Sequence, residues 1–177
     1  MTTTQVDPVG NPSAYQQMIL DYLGEDDPAE VQAATAATLA QLRAEAGEQL
    51  RVRPAPAEWS VLELLGHIMD AEIVSAARYR WVISQEQPAL TAYDQDLWVS
   101  NLQHNAADPD SVLGLFSALR AANVELWRTS SADQKARIGL HSERGPESFE
   151  LLFRMIAGHD RFHIEQIEQT LRAVRSA

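Results

Sequence analysis

The sequence predicts an all-α protein, a four-helix bundle preceded by one short extra helix. Of the 177 residues, 45% are hydrophobic and 22% are charged, which is typical of one globular domain with a sizeable core. Four long segments carry apolar residues at steps of three and four, and strand-like alternation is absent. Four long helices with one long connection, between the second and the third, predict a four-helix bundle, which we expect to be antiparallel.

The N-terminal part is expected to lie outside the bundle itself. Residues 1–12 are polar and predict a loose arm, and residues 13–23 predict a short helix with an apolar side that Gly24 ends. We therefore divide the chain into an arm and short helix packed on the domain, residues 1–26, and the bundle, residues 27–177.

The first bundle helix has a clear start. Asp27 is a good N-cap, Pro28 suits the first helical position, and Glu30 follows in the first turn. We expect the helix to continue to about Glu48. Its alanine-rich sequence predicts one packed face, made of Val31, Ala34, Thr38 and Leu42.

The second bundle helix begins with a capping box formed by Ser60 and Glu63. It follows an extended connection at residues 51–56, where two prolines disfavour helix, and it is expected to reach about Gln85. Its packed face has regular spacing: Leu64, His67, Ala71, Val74, Arg78 and Trp81.

The second half of the chain supplies the other two long helices. Residues 86–107 predict a mixed connection with a helical turn at 94–103, and Asp108 with Pro109 starts a helix to about Thr129. A polar stretch, residues 130–146, precedes the last helix, which runs from about Pro146–Ser148 to Val174. Its packed face is Leu152, Ile156, His159, His163, Ile167, Leu171 and Val174.

Two histidines on that last face predict a metal site. His159 and His163 are four residues apart, so their rings lie one turn apart on the same side of the helix. His67, on the packed face of another helix, is the best candidate for a third ligand. A single histidine on an apolar face is more often a core residue. Three buried rings without partners would each cost about 1–3 kcal/mol, however, and one divalent cation satisfies all three.

Two glycines accompany these histidines. Gly66 precedes His67, and Gly158 precedes His159. Glycine inside a helix costs roughly 1 kcal/mol relative to alanine, so we expect close approach of the two helices or room for a ligand beside the metal. A tolerated accident is the alternative.

The segment from His159 to His163 partly resembles the zinc-peptidase pattern His-Glu-x-x-His. Asp160 is one methylene shorter than the glutamate that acts as base in that pattern, which disfavours a peptidase. Asp160 or Asp70 could instead hold the second ring nitrogen of a ligand histidine. A solvated charge is the more common fate of such a residue.

These motifs together resemble the DinB/YfiT-like superfamily of bacterial four-helix-bundle metalloproteins. The matching stretches are residues 58–70, around Trp59 and His67, and residues 157–167, which include the histidine pair. The spacing between the two stretches and the connection containing Tyr93, Asp94 and Trp98 also fit, and the resemblance covers roughly residues 28–175.

The resemblance implies a divalent metal held by His67, His159 and His163, and a homodimer. It also implies an activity as a metal-dependent hydrolase, or as an enzyme that uses the metal to activate a low-molecular-weight thiol for S-transfer or isomerisation. The histidine pattern does not select among these chemistries.

Residue chemistry limits the mechanism further. Three imidazoles leave a coordination position open for a water or an exogenous thiol, and the chain has no cysteine of its own. Zn, Ni, Fe and Mn all accept imidazole ligands. Asp160, His141 and Tyr93 are the candidate catalytic residues, and Glu72 is a further candidate contact.

Composition excludes several classes of partner. The net charge of −11 and the lack of a cluster of basic residues argue against nucleic acid. No apolar run reaches the ~18–20 residues that span a bilayer, and residues 1–13 do not resemble a signal peptide, so we expect a cytoplasmic protein without a membrane partner. Two hypotheses follow: a metal-dependent enzyme with a small-molecule substrate, or a non-catalytic bundle in which the metal has a structural or sensing role.

Overall fold

The fold is a helical bundle, given by a computed structural model that describes residues 10–176. The bundle helices are α2 (Pro28–Ala46), α3 (Val61–Ser84), α5 (Pro109–Thr129) and α7 (Phe149–Ser176), and shorter helices are α1 (Pro12–Leu23), α4 (Gln95–Asn101) and α6 (Ala132–Ala136). Short 3-10 turns lie at Gly47–Arg51 and His104–Ala106. The four-helix bundle with an extra N-terminal helix is confirmed. Most of the predicted arm, residues 1–9, lies outside the described residues.

Helix starts follow the capping signals in the sequence. The Asp27 carboxylate accepts from the amides of Ala29 and Glu30, and Asp108 accepts from that of Ser111. Ser60 and Glu63 form the predicted capping box. These local bonds satisfy backbone donors that a helix leaves unpaired, so the starts depend little on the rest of the fold.

The helices are not all antiparallel, and this part of the sequence prediction is wrong. Around the bundle the order is α2–α5–α3–α7, which places α2 and α3 on a diagonal. Thr35 bonds Asp160, and near the other ends Arg175 bonds the carbonyl of Glu45, so α2 and α7 run in the same direction.

The second parallel pair is α3 and α5. Glu72 of α3 bonds Arg120 of α5. Closer to the C-terminal end of both helices, Arg80 of α3 bonds Asn123 of α5, so the two helices run in the same direction. The long connection between these helices, residues 85–108, allows the chain to return to the starting end before α5 begins. The long connection, noted in the sequence, therefore permits a parallel pair, which the sequence prediction did not consider.

The packed face of α2 differs from the predicted one. Ala34 is exposed and Val31 and Thr38 are only half-buried. The buried residues of the helix are Pro28, Ala29, Gln32, Thr35, Leu39, Leu42 and Ala46. The alanines give little contrast in hydropathy, and the true face includes polar Gln32 and Thr35. Trp81 of α3, also predicted to pack, is 42% exposed.

A small sheet interrupts the otherwise helical fold and was not predicted. Strands β1 (Ala89–Leu90), β2 (Ile138–His141) and β3 (Gly145–Ser148) form it, with β1 parallel to β2 and β2 antiparallel to β3. Strands of two to four residues are too short to show alternation. The sheet holds the β1 segment beside His141 at one end of the bundle.

The extra helix α1 packs on α7, where Ile19 contacts Met155 and Phe162 in an apolar cluster. Within residues 10–176, none of the helices combines the length and apolar character needed to cross a bilayer.

Candidate metal centre

The three predicted ligand histidines converge on one point between α3 and α7. The Nε2 atom of His67 lies 3.1 Å from that of His159 and 3.2 Å from that of His163. All three ligand nitrogens fall within 4.8 Å of one another. Two imidazole nitrogens that share one zinc ion, at about 2.0–2.1 Å each, lie roughly 2.9–3.4 Å apart, so the spacing suits a common cation.

All three rings are buried and neutral. His67 is 1%, His163 2% and His159 8% exposed. Burial lowers the pKa of each imidazole, that of His163 to about 4, and neighbouring histidines lower those of His67 and His159 further. Neutral imidazole is the form that binds metal, because a lone pair must be free.

The tautomer of His163 also fits a ligand role. The side-chain oxygen of Gln166 lies 2.8 Å from Nδ1 of His163. An amide oxygen only accepts, so Nδ1 carries the proton and Nε2 presents its lone pair. Nδ1 of His67 and of His159 has no partner among the described residues, a cost that a bond from Nε2 to a cation would offset.

The helices position these rings through ordinary packing. His159 and His163 follow the α7 face predicted from the sequence, and His67 follows the α3 face. The indole of Trp59, just before α3, lies 5.3 Å from the His67 ring, centroid to centroid. The packed faces therefore bring the ligands together.

A cavity of about 1040 Å³ adjoins this point. His67 and His159 line it, and α1 contributes Tyr15, Ile19 and Tyr22 to its wall. Small-molecule sites are commonly about 300–1,000 Å³, so a cation at the trio would face a space large enough for a substrate.

The two glycines mark close approaches, although not of α3 to α7. A Cβ added at Gly158 would overlap the carbonyl oxygen of Ile19, and one at Gly66 would lie 2.5 Å from the ring of His104. Gly158 thus admits α1, and Gly66 admits the turn after α4. The prediction of close approach holds, but its partners were misidentified.

Asp160 and Asp70 do not hold the ligand histidines, and neither is solvated. Asp70 lies 2.6 Å from His104, carboxylate oxygen to Nε2, and both residues are buried. The Asp160 carboxylate pairs with Arg120 and accepts from the Thr35 hydroxyl. Both sequence interpretations of these aspartates are therefore wrong.

Arg120 is the buried centre of a polar network that the sequence prediction missed. It pairs with Asp160 on α7 and Glu72 on α3, and the amide of Asn123 donates to Glu72 at 2.7 Å. Burial alone would lower the pKa of Arg120, but the two carboxylates outweigh it and raise it. The available signal was an i,i+3 pair, Arg120 and Asn123, on the apolar face of α5.

The remaining candidate residues lie at different distances from the trio. Glu72 belongs to the Arg120 network and is 1% exposed. His141, on β2, and Tyr93, before α4, both line the cavity, at the end where the sheet lies. Neither makes a hydrogen bond to the three imidazoles within residues 10–176.

Sequence comparison places the chain in a family. A model of the DinB superfamily matches residues 29–167. The chain belongs to the DinB superfamily. The match includes all three histidines and excludes α1.

Individual relatives within the superfamily are distant. One is a Bacillus subtilis protein named "Putative metal-dependent hydrolase YfiT", 27% identical over 116 residues, which are 64% of this chain and 65% of that protein. A protein from Oceanobacillus iheyensis, also named "Putative metal-dependent hydrolase", is 27% identical over 120 residues, 68% of this chain and 69% of its own length.

A solved structure shows the same fold. The structure of YfiT from Bacillus subtilis, described as "a probable metal-dependent hydrolase with an unusual four-helix bundle topology", has a TM-score of 0.74 and 21% sequence identity. The superposition covers 97% of this chain and 91% of that one. It supports the DinB bundle as the fold.

Proposed function

We propose that this DinB-superfamily protein is a divalent-metal-dependent enzyme that acts on a small molecule, with His67, His159 and His163 as the metal ligands. The observation that carries the proposal is the convergence of three neutral, buried imidazoles at the wall of a large cavity. Zinc, nickel, iron and manganese all fit such ligands.

In this proposal each residue of the site has a separate role. A divalent cation held there would supply Lewis-acid chemistry, lowering the pKa of a water or thiol bound to it. His67 and His159 line the cavity and would hold the cation at its wall. Gln166 fixes the tautomer of His163, and the Arg120–Asp160 pair fixes the turn of α7 that carries His159.

Hydrolysis is the favoured chemistry, and thiol S-transfer is the second candidate. The names of the two relatives support a hydrolase. The absence of cysteine means that any thiol must enter from outside, and the cavity is large enough to hold a small thiol beside a second substrate.

A purely structural or sensing role for the metal is the remaining alternative. Structural zinc sites are usually closed by four protein ligands. Three histidines beside a cavity fit that description poorly, which is why we favour an enzyme.

Metal analysis tests the ligand set. We expect about one divalent ion per chain in the wild type and a loss of at least tenfold in affinity in His67→Ala and in His163→Ala. His141→Ala is the matched control, because it removes a buried histidine of the same cavity and leaves the trio intact. Full metal content in both ligand variants would refute the site.

Turnover distinguishes the two chemistries. The metal-loaded protein would be assayed on a panel of small esters, amides and electrophiles, with and without an added low-molecular-weight thiol. Turnover without thiol supports hydrolysis, and turnover only with thiol supports S-transfer. In a cobalt-substituted sample, spectra unchanged by any thiol, together with no turnover, would support the structural alternative.

The assembly state belongs to the same proposal. The superfamily resemblance led us to expect a homodimer, and sedimentation equilibrium at micromolar concentration tests that expectation. A single species at 19.6 kDa would contradict it.

A further inference from the structure

The far end of the cavity contains a buried guanidinium that forms no ion pair with any carboxylate of residues 10–176. Arg78, on α3, lines the cavity and is 8% exposed. Among residues 10–176, no carboxylate lies within 4.0 Å of it. Arg120 is similarly buried but has two carboxylate partners. Buried charges are normally paired with an opposite charge. Arg120 has such carboxylate partners, and Arg78 has none among the described residues.

The hydrogen bonds of Arg78 leave part of the guanidinium for a ligand. Nη2 donates to the carbonyl of Thr91 at 2.5 Å and lies 3.2 Å from Nε2 of His141. Nε is buried without a partner among the described residues. These contacts orient the group and use only one of its three nitrogens.

The second cation at this end of the cavity is already paired, so it does not compete with Arg78 for an anion. Arg144 also lines the cavity, but Glu147 pairs with it through contacts of 2.5 and 3.0 Å. Tyr93 and Tyr15 line the same region and carry hydroxyl groups that can donate. The acidic side chains around the cavity are exposed and more strongly screened by solvent: Glu58, Asp94, Asp96, Glu143 and Glu165.

We propose that Arg78, assisted by Tyr93, forms a subsite for the carboxylate group of the substrate. The inference rests on the proposed function, whose substrate class it defines. One unpaired guanidinium matches a single negative charge, and its planar donors match the planar carboxylate.

The subsite also sets the length of the substrate. Between His67 and Arg78 the cavity-facing residues of α3 are small or apolar, namely Ala71, Val74 and Ser75. Eleven residues of helix span about 16 Å, and long helical side chains generally lean toward the helix N-terminus, which at Arg78 is the direction of His67. The substrate is therefore an elongated monocarboxylate whose reacting group lies about 10–15 Å from its carboxylate.

A pair of simple probes tests the subsite without knowledge of the substrate. Octanoate and octan-1-ol have the same chain and differ in charge. Isothermal titration of each into metal-free wild-type protein at pH 7.5 should show octanoate binding about 10- to 100-fold more tightly, as charged hydrogen bonds allow. Equal binding of the two probes would overturn the proposal.

Variants locate the effect. Arg78→Gln should abolish the preference for octanoate while leaving octan-1-ol binding unchanged. Arg172→Gln is the matched control, because it removes a cation whose side chain is 65% exposed on α7 outside the cavity, and it should bind both probes as the wild type does. Unchanged octanoate binding in Arg78→Gln would overturn the assignment.

A measurement on the wild type covers the case in which Arg78→Gln does not fold. The Nε–H resonances of arginine, assigned through bonds in labelled protein, should include one for Arg78 that shifts with octanoate and not with octan-1-ol. A shift at other arginines only would refute the subsite.

The outcomes separate this inference from the proposed function. Metal binding by the trio without a preference for octanoate would refute the subsite alone. A preference for octanoate in a protein that binds no metal would refute the proposed enzyme and leave the carboxylate site standing.

Discussion

The side chain of Arg120, on α5, connects all four bundle helices. It pairs with the carboxylates of Glu72 on α3 and Asp160 on α7 and donates to the backbone carbonyl of Gln32 on α2 at 3.3 Å. Its neighbour in the network, Asp160, follows His159 directly. The geometry of the histidine trio therefore depends on a buried charge that, among the described residues, forms no hydrogen bond with the trio.

Removal of that charge should destabilise the fold severely. Arg120→Met leaves two buried carboxylates uncompensated, and we expect a loss of about 3–5 kcal/mol in the free energy of unfolding. Urea denaturation measures it. Arg128→Met, which breaks an exposed pair with Glu30, is the control and should cost under about 1 kcal/mol. Similar losses in both variants would contradict the role assigned to Arg120.

His141 gives the protein a pH-dependent contribution to stability. Backbone amides of Glu143 and Arg144 face its Nδ1, and Arg78 faces its Nε2, so a second ring proton has no acceptor. Burial, with the charges of Arg144 and Arg78, lowers its pKa to about 3. The neutral ring is thus favoured in the fold. This contribution is complete above about pH 6.5, the unfolded pKa, and is lost as the pH falls toward 3.

A comparison with His141→Gln isolates that contribution. The difference in the free energy of unfolding between wild type and variant should shrink by about 1–2 kcal/mol from pH 7.5 to pH 5.0, the lower figure allowing for water in the cavity. Denaturant titrations at both pH values measure it. A difference that stays constant would show that His141 protonates as readily in the fold as in the unfolded chain.

At the scale of whole elements, the contact between α1 and α7 depends on a glycine, which has no side chain to separate the two helices. Gly158 allows the carbonyl of Ile19 to lie against α7. Intrinsic propensity alone would favour alanine at this helical position by about 1 kcal/mol. The structure reverses that expectation, because α1 must move to admit a methyl group.

Two glycine substitutions test this contact. Gly158→Ala should lower the free energy of unfolding and increase proteolytic cleavage within residues 12–23. Gly114→Ala, at a helical position with nothing within 4 Å of an added Cβ, should raise it by about 0.5–1 kcal/mol. Stabilisation by both alanines would contradict the close approach of α1.

The elements that sequence predicted well are those with local causes. The capping box at Ser60 and the N-caps at Asp27 and Asp108 fix where helices begin, and the face of α7 has strong contrast between apolar and charged residues. The face of α2 lacks that contrast, since alanine packs or faces solvent with little difference in energy. The sheet depends on pairing between residues 89–90 and 138–141, which no local pattern specifies.

At the scale of the molecule, the histidine trio could be predicted and its surroundings could not. His159 and His163 share one helical face, and His67 lies on another packed face, so any bundle that places α3 beside α7 at matching height brings the three rings together. The parallel pairing of α2 with α7 and the position of Arg120 between Asp160 and Glu72 depend on contacts between distant segments.

Metal binding should stabilise the whole protein, because the trio connects α3 to α7. A cation at a hundredfold excess over its dissociation constant adds about 2.7 kcal/mol to the free energy of unfolding. Thermal unfolding of chelator-treated protein, with and without added zinc, measures the change. His67→Ala should show little response, and a full response in that variant would contradict a ligand set that spans both helices.

The wall that α1 adds to the cavity has an evolutionary consequence. Tyr15, Ile19 and Tyr22 line the cavity, yet α1 precedes the DinB-matching region, which begins at residue 29. Mutations in this segment can reshape the cavity wall without changing a residue of α3 or α7, the two helices that present the imidazoles. Under the proposed function, a new substrate preference can therefore arise at the periphery, while the bundle and its three imidazoles remain as they are.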